Sequence, residues 1–461
     1  MRRRSPVVLW AAIVMAAVLI AGFGCRSAGA PSRKPNVILY IIDGAAAEYM
    51  SVYSYPRRTT RFLEQLAAEG TVFENAYSNS SFTKTSVPSF MTSLQSSVLG
   101  GFRSESDPLP TQAVTMAERM RAAGYWTAVL TANPFCGRIS GLDRGVDVMR
   151  DTGTAARPSS ADLHREFWRI RETRPAGPYW VHFQPTDVHR PWEAMSPSRG
   201  AGVAPERLYR TARKLYEESL VFQDREIGKL VDRLKRRGEW DRTLFIVAAD
   251  HSHVSAGLPF FDPGAPAWES PVLASQKSRI PMIFVWPGRI PAGRRLPEAV
   301  SMIDLLPTVL ELAGLPRSGT MQGRSFAPLL LGRKGWKPRP VVLDEFYSDG
   351  TDLFGSLEIV DGRYGASLWI DPRPEDKRAK RDRLRPAPLL VFDVLEDPHG
   401  LRSLHAERPE LVAKYSKILS RLWEENRTLA GRFTRPGRIP MTPDEVERLR
   451  SLGYIRGGAR R

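Results

Sequence analysis

Four apolar runs, each ending in polar residues able to hold a ligand, constrain the fold of this 461-residue chain more than any other feature. Val37–Ile42 (VILYII) stops at Asp43-Gly44, and Trp126–Leu130 runs into Thr131-Ala132-Asn133. Tyr179–Phe183 hands over to Gln184, Asp187 and His189, and Thr243–Ala249 ends at Asp250-His251-Ser252-His253. Runs this short and this apolar read as buried strands. Helical patterns lie between them. Thr60–Glu69 puts Leu63, Leu66 and Ala67 on one face, with Gly70 as its stop. Tyr209–Arg237 carries Leu220, Ile227, Leu230, Val231 and Leu234 near helical spacing before Gly238. Strands alternating with helices specify an α/β layer fold.

In open α/β sheets, ligands bind at the carboxyl edge of the strands. Any one of these strand-end residues could be an ordinary turn former or helix cap. Together they include three carboxylate positions, two of them beside histidines, and that combination points to a site. Carboxylates and an imidazole converging on one point suit a divalent cation. Asp43, Asp250 and His251 would supply two negative charges and a neutral nitrogen. Coordination positions would then remain for a nucleophile and a substrate oxygen. No further close carboxylate–histidine cluster is evident, so one metal ion is expected. The donor set does not separate Ca, Mg, Mn or Zn.

The chain divides into three parts. Residues 1–30 read as an export signal: the basic MRRRSP start precedes the uninterrupted apolar run Val7–Gly24. Cys25 stands where a bacterial lipoprotein carries its lipid, Ala28-Gly29-Ala30 offers an ordinary cleavage site, and an uncleaved anchor is the third option. An exported location follows, in the periplasm or on the outer face of the membrane, with membrane attachment if Cys25 is lipidated or the anchor is retained. With Cys25 removed or lipidated, Cys136 has no partner for an intrachain disulfide. Residues 35–335 form the main α/β domain. After a connector rich in Gly, Arg and Pro, residues 336–461 form a smaller C-terminal α+β subdomain. Its signals are a hairpin over Leu357–Ile370 turning at Asp361-Gly362, a strand at Leu389–Leu395 and a helix at Glu410–Glu425.

The net charge of +17 favours anionic partners. Part of it is local, in Asp371–Pro386 (DPRPEDKRAKRDRLRP), which reads as a solvated loop. No nucleic-acid reading module is present, so nucleic acid is not an expected partner.

The remaining chemistry lies in Ser80–Ser93, SSFTKTSVPSFMTS, where eight of fourteen side chains carry hydroxyls. In order along the chain stand PNVILYIID, LEQLAAEGTVFENAYS, TMAERMRAAGYWTAVLTANPF, VHFQPTDVHRPW, SRIPMIFVWPG, SMIDLLPTVLELAGL, QGRSFAPLL and RLRSLGYI. With these landmarks the chain, from about Pro35 to Ile455, resembles the sulfatase family of the alkaline-phosphatase-like superfamily. The resemblance implies a large mixed, mostly parallel sheet sandwiched by helices, and hydrolysis of sulfate, phosphate or phosphonate esters.

The family's nucleophile lies six residues after the tyrosine of an Asn-Ala-Tyr element and nine before a Thr-Gly threonine; Tyr77 and Thr92 both measure to Thr83. The rival register takes Ser86-Val87-Pro88-Ser89 as the motif core. It would place Pro88 in the first helical turn, where proline is well tolerated. With Thr83 as helix cap, Pro88 falls a turn further in. Ser86 is therefore the fallback nucleophile.

By resemblance, Lys84 contacts a substrate oxygen, and His189 contacts the ester oxygen and could protonate the leaving group. Thr83 joins Asp43, Asp250 and His251 around the metal. Three positions depart from the family pattern: Gly44 replaces a second aspartate, Val87 the motif arginine and Leu99 a histidine. Family members convert Cys or Ser to formylglycine; threonine is not a substrate for that conversion, so no formylglycine is expected. A threonine alkoxide attacks directly and leaves a covalent ester for water to cleave. That chemistry favours phosphorus esters over sulfate. Two other classes remain open: a transferase passing the group to a membrane acceptor, and an inactive relative that keeps the fold for binding.

Overall fold

The computed structural model describes residues 34–150, 158–174, 177–189, 205–252, 254–255, 258–259, 279–374, 389–397, 400 and 402–455. The expected N-terminal signal with Cys25, most of the basic loop and His253 lie outside the described residues. Among the described residues, no helix is long and apolar enough to cross a membrane.

The first sheet is assembled from β1 (Asn36–Ile41), β2 (Thr71–Tyr77), β3 (Trp126–Thr131), β4 (Val148–Arg150), β5 (Tyr179–Gln184) and β6 (Thr243–Ala248). After the two-residue strands β7 (Val254–Ser255) and β8 (Leu258–Pro259), which pair only with each other, come β9 (Arg279–Ile280), β10 (Met282–Val285) and β11 (Arg294–Ser301). The order across the nine-stranded sheet is β11-β2-β10-β6-β1-β5-β3-β4, with β9 beside β2. The four runs singled out in the sequence are its contiguous centre, β6-β1-β5-β3. They pair in parallel throughout, so their carboxyl ends share one edge. β10 is antiparallel to both of its neighbours, which makes the sheet mixed.

Every residue of β1, β5 and β6 is buried, the pattern of strands covered on both faces. Alternation along β5 shows which helices cover which face. Tyr179 and Phe183 meet Phe167 of α4 (Ser160–Glu172), and Tyr40 of β1 bonds both His164 of α4 and Gln223 of α5 (Pro205–Arg236). The intervening residues face the other way. Trp180 meets Met116 at the start of α3 (Met116–Ala122), and His182 meets Phe90 of α2 (Thr83–Thr92). Gln184, at the strand end, belongs to this second set, and that register aims it at the site.

The carboxyl-terminal sheet is antiparallel: β12 (Val341–Ser348), β13 (Leu353–Asp361), β14 (Tyr364–Ile370) and β15 (Leu389–Asp393). The hairpin turns through Gly362, whose φ of +65° suits a residue without a side chain. Its core (Phe346, Leu357, Ile359, Val391) packs against Tyr415 and Leu419 of α7 (Pro409–Ala430), which follows α6 (Leu305–Leu312). Last comes α8 (Pro443–Ser451). Asn36–Arg461 forms one compact unit.

Candidate active site

β1 ends at Ile41, and Asp43 is fully buried one turn beyond it. Gly44 adopts φ +74°, a left-handed conformation that strains any other residue, and its N–H donates to Asp250 Oδ1 at 3.2 Å. Asp250 also accepts from the His251 N–H at 3.0 Å. Gln184 Nε2 bridges the two acids, 3.0 Å from Asp43 Oδ2 and 3.1 Å from Asp250 Oδ2. Its amide is oriented by His182 Nε2, 3.1 Å from Oε1. Asn133 Nδ2 donates to Asp43 Oδ2 at 2.8 Å, while the Phe135 N–H holds Asn133 Oδ1 at 3.1 Å.

Neutral amides, backbone N–H groups and the Thr83 hydroxyl are thus the donors to these carboxylates. Burial pushes Asp250 up to about 6. Burial, and then the neighbouring Asp250, push Asp43 up to about 7. Asp43 Oδ1 has no hydrogen-bond partner although it is buried. Asp43, Asp250 and His251 bring ligand atoms within 4.8 Å of one another. Two buried carboxylates side by side, one orphaned oxygen and an imidazole fit a divalent cation.

His251 Nδ1 lies 3.3 Å from the Ser252 carbonyl, which only accepts, so the proton sits on Nδ1 and the Nε2 lone pair faces inward. There it meets Thr83 Oγ1 at 3.0 Å. Phe82, not Thr83, is the helix cap; Thr83 is the first residue of α2 and is fully buried. Pro88 stands inside the helix, unable to donate to the carbonyl one turn back.

Ser86 points elsewhere, donating to the Asp250 carbonyl at 2.7 Å and lying 3.0 Å from Ser78 Oγ. It fixes the backbone of the acid rather than lining the cluster. Lys84 is also turned away. Its ammonium donates to the carbonyls of Asp107 (2.8 Å) and Ile139 (3.0 Å) and to Ser140 Oγ (2.8 Å), which uses all three protons. Burial brings it down to about 7. His189 is fully buried, with Nε2 3.9 Å from Asp43 Oδ1. Asp187, another strand-end acid, accepts from the Ser160 N–H at the start of α4 and does not join the cluster.

Tyr454 had no assigned role in the sequence. Its hydroxyl lies 2.8 Å from His189 Nε2, 3.2 Å from Asn133 Nδ2 and 3.3 Å from Thr83 Oγ1. The bridging role of Gln184 was likewise unassigned, although its place at a strand end beside the candidate acids was a usable signal.

Buried acids and imidazoles gathered at the carboxyl edge of a mixed α/β sheet are the arrangement that the resemblance to the alkaline-phosphatase-like superfamily implied. The sulfatase family profile matches residues 35–315, and an N-sulphoglucosamine sulphohydrolase C-terminal profile matches residues 269–364. The chain belongs to the sulfatase family, a family of ester hydrolases. It is 25% identical to human arylsulfatase A over 494 residues, covering 93% of this chain and 88% of that one. To the dog N-acetylgalactosamine-6-sulfatase it is 24% identical over 413 residues, covering 76% and 75%. In fold it is similar to the phosphonate monoester hydrolase of Agrobacterium radiobacter, with a TM-score of 0.63 at 16% identity over 85% of this chain and 96% of that one.

Proposed function

We propose that this protein is an exported, metal-dependent hydrolase of sulfate- or phosphate-type esters with Thr83 as its nucleophile, phosphorus esters being the favoured substrates. The observation that carries the reading is the 3.0 Å contact between Thr83 Oγ1 and His251 Nε2 inside the Asp43–Asp250–His251 cluster. Those three residues would hold the cation. When bound, a divalent ion lowers the pKa of an adjacent hydroxyl and offsets charge on a substrate oxyanion.

The chain's own residues do the rest. Gln184 and Asn133 keep the acids aimed inward. The Thr83 alkoxide attacks phosphorus or sulfur, forming the Oγ1 bond as the bond to the departing alcohol breaks. His189 Nε2 gives that alcohol oxygen its proton. Water then cleaves the threonine ester, its proton returning to His189 Nε2 and its oxygen leaving with the released anion, which restores the Thr83 alkoxide. A sulfothreonine lacks the aldehyde collapse available to formylglycine, hence the preference for phosphorus.

The test is to quench turnover of aryl phosphate, phosphonate and sulfate esters and locate the covalent adduct by mass spectrometry. A phosphoryl adduct on the peptide containing Thr83, absent in Thr83→Ala, is the expected result. An adduct on Ser86, or undiminished activity in Thr83→Ala, overturns the assignment. Export through residues 1–30 predicts a mature protein in the envelope fraction with those residues processed, lipidated or inserted.

A further inference from the structure

The site expected from the sequence leaves the transferred group short of hydrogen-bond donors. Lys84 gives its protons to other partners, and Val87 is apolar core where the family pattern has arginine. Charge on the equatorial oxygens of a sulfuryl or phosphoryl group in transfer needs donors already in place. Tyr454 brings one from the far end of the chain.

We propose that Tyr454 is a catalytic residue whose phenol donates a hydrogen bond to an equatorial oxygen of the group transferred to Thr83; the inference rests on Thr83 being the nucleophile. Position is the first argument. The hydroxyl is 3.3 Å from Thr83 Oγ1, so it stands beside the reacting centre rather than beyond it, where the departing oxygen leaves in line. The contact with Thr83 is long for a hydroxyl, so a substrate oxygen takes the phenol's proton in its place at small cost, while Asn133 Nδ2 goes on donating to the phenol oxygen at 3.2 Å. With its proton on Nε2, His189 donates to the phenol oxygen across the 2.8 Å contact and so leaves the phenol's single proton for the substrate, holding the ring until that imidazole proton passes to the departing alcohol. The phenol keeps its proton, and no bond of the tyrosine is made or broken.

Anchoring is the second argument. α8 opens with a capping box between Thr442 and Glu445, and Glu445 also pairs with Arg138 at 2.6 Å. Leu449 is fully buried against Phe135 and Ile139. Gly453, at φ +75°, reverses the chain, and the Tyr454 N–H bonds the Leu449 carbonyl at 2.9 Å. The ring then rests on Phe82 and Phe135, with centroids 5.6 and 4.6 Å away. Phe82 precedes Thr83, and Phe135 donates the N–H that orients Asn133. The packing that holds Tyr454 is therefore continuous with the elements that hold the nucleophile. A donor fixed in advance in this way spends little reorganisation when charge develops.

The experiment compares Tyr454→Phe with the parent in three measurements: kcat on aryl esters, affinity for orthovanadate, and Tm. Phenylalanine keeps the ring contacts, so Tm is expected to hold. Loss of a preorganised donor lowers kcat by about 10²-fold. Vanadate, which takes up the trigonal-bipyramidal geometry, is expected to bind about 5- to 12-fold more weakly, one lost hydrogen bond being worth about 1–1.5 kcal/mol. Unchanged kcat and vanadate affinity overturn the inference while leaving the hydrolase reading intact. Raised kcat also overturns it, because the phenol would then be an obstruction. A parent protein that hydrolyses none of the esters but binds vanadate through Tyr454 overturns the hydrolase reading and supports the contact.

Discussion

Two fully buried aspartates, Asp43 and Asp344, look alike by every single-residue measure. Both are pushed up to about 7, mainly by burial, and neither has a lysine or arginine partner among the described residues. Asp344 lies on β12, where the small sheet meets the large one. Its Oδ1 accepts from the Ser97 N–H at 2.9 Å, and its Oδ2 accepts from Ser97 Oγ and from Asn426 Nδ2 of α7. Every oxygen is satisfied, and the residue ties three elements together. Asp43 instead has one orphaned oxygen, a second carboxylate across a shared amide, and two imidazoles nearby. Burial and a raised pKa do not by themselves mark a site. An unsatisfied oxygen facing a second charge does, because a protein interior leaves such a group only where something else is to bind.

The sharpest break in the comparison is activity. Thr83→Ala is expected to lower kcat by about 10⁴-fold or more, and Asp43→Asn to act similarly, both with little change in Tm. Asp344→Ala should do the reverse. It strands the Ser97 and Asn426 donors and costs about 1–3 kcal/mol in urea unfolding, with kcat within a few-fold of the parent.

The next effect concerns pH. In metal-free protein the folded carboxyls of Asp43 and Asp250 titrate near 7 and 6, above the unfolded value of about 4. The folded state then holds more protons across that window, so stability is greatest at low pH and falls as pH rises through 6 to 7. Asp344, Asp187 and Asp224 add to the slope with the same sign. Asp43→Asn should flatten it measurably, and excess divalent metal should reverse the contribution of the Asp43–Asp250 pair alone. A slope indifferent to both would mean that the pair is not the cation site.

Smaller still is the effect of positioning. Gln184→Ala removes the amide that bridges the acids and should weaken metal affinity by about 10–100-fold, read by isothermal titration. Ser86→Ala should cost about 1 kcal/mol of stability and leave the adduct site unchanged, since its hydroxyl serves the Asp250 carbonyl.

Much of this was legible in the chain itself. Strands buried on both faces announce themselves as apolar runs, and parallel pairing brings their ends to one edge; Asp43, Asp250, His251 and His189 could therefore be grouped without coordinates. Thr83 followed from its distances to Tyr77 and Thr92. The outer strands were harder to read. β2 (TVFENAY) neither alternates nor runs apolar, and its pairings with β10 and β11 join segments more than 200 residues apart.

Local pattern therefore determined the fold class, the edge that carries the site and the acids on it, because strand burial and turn chemistry act over a few residues. Only the tertiary structure decided the rest. Lys84 turns away because carbonyls from residues 107 and 139 happen to surround its ammonium. Asp43 and Asp344 become distinguishable only through partners distant in sequence. Tyr454 reaches Thr83 across 371 residues, a closeness that side-chain packing creates and no spacing along the chain encodes.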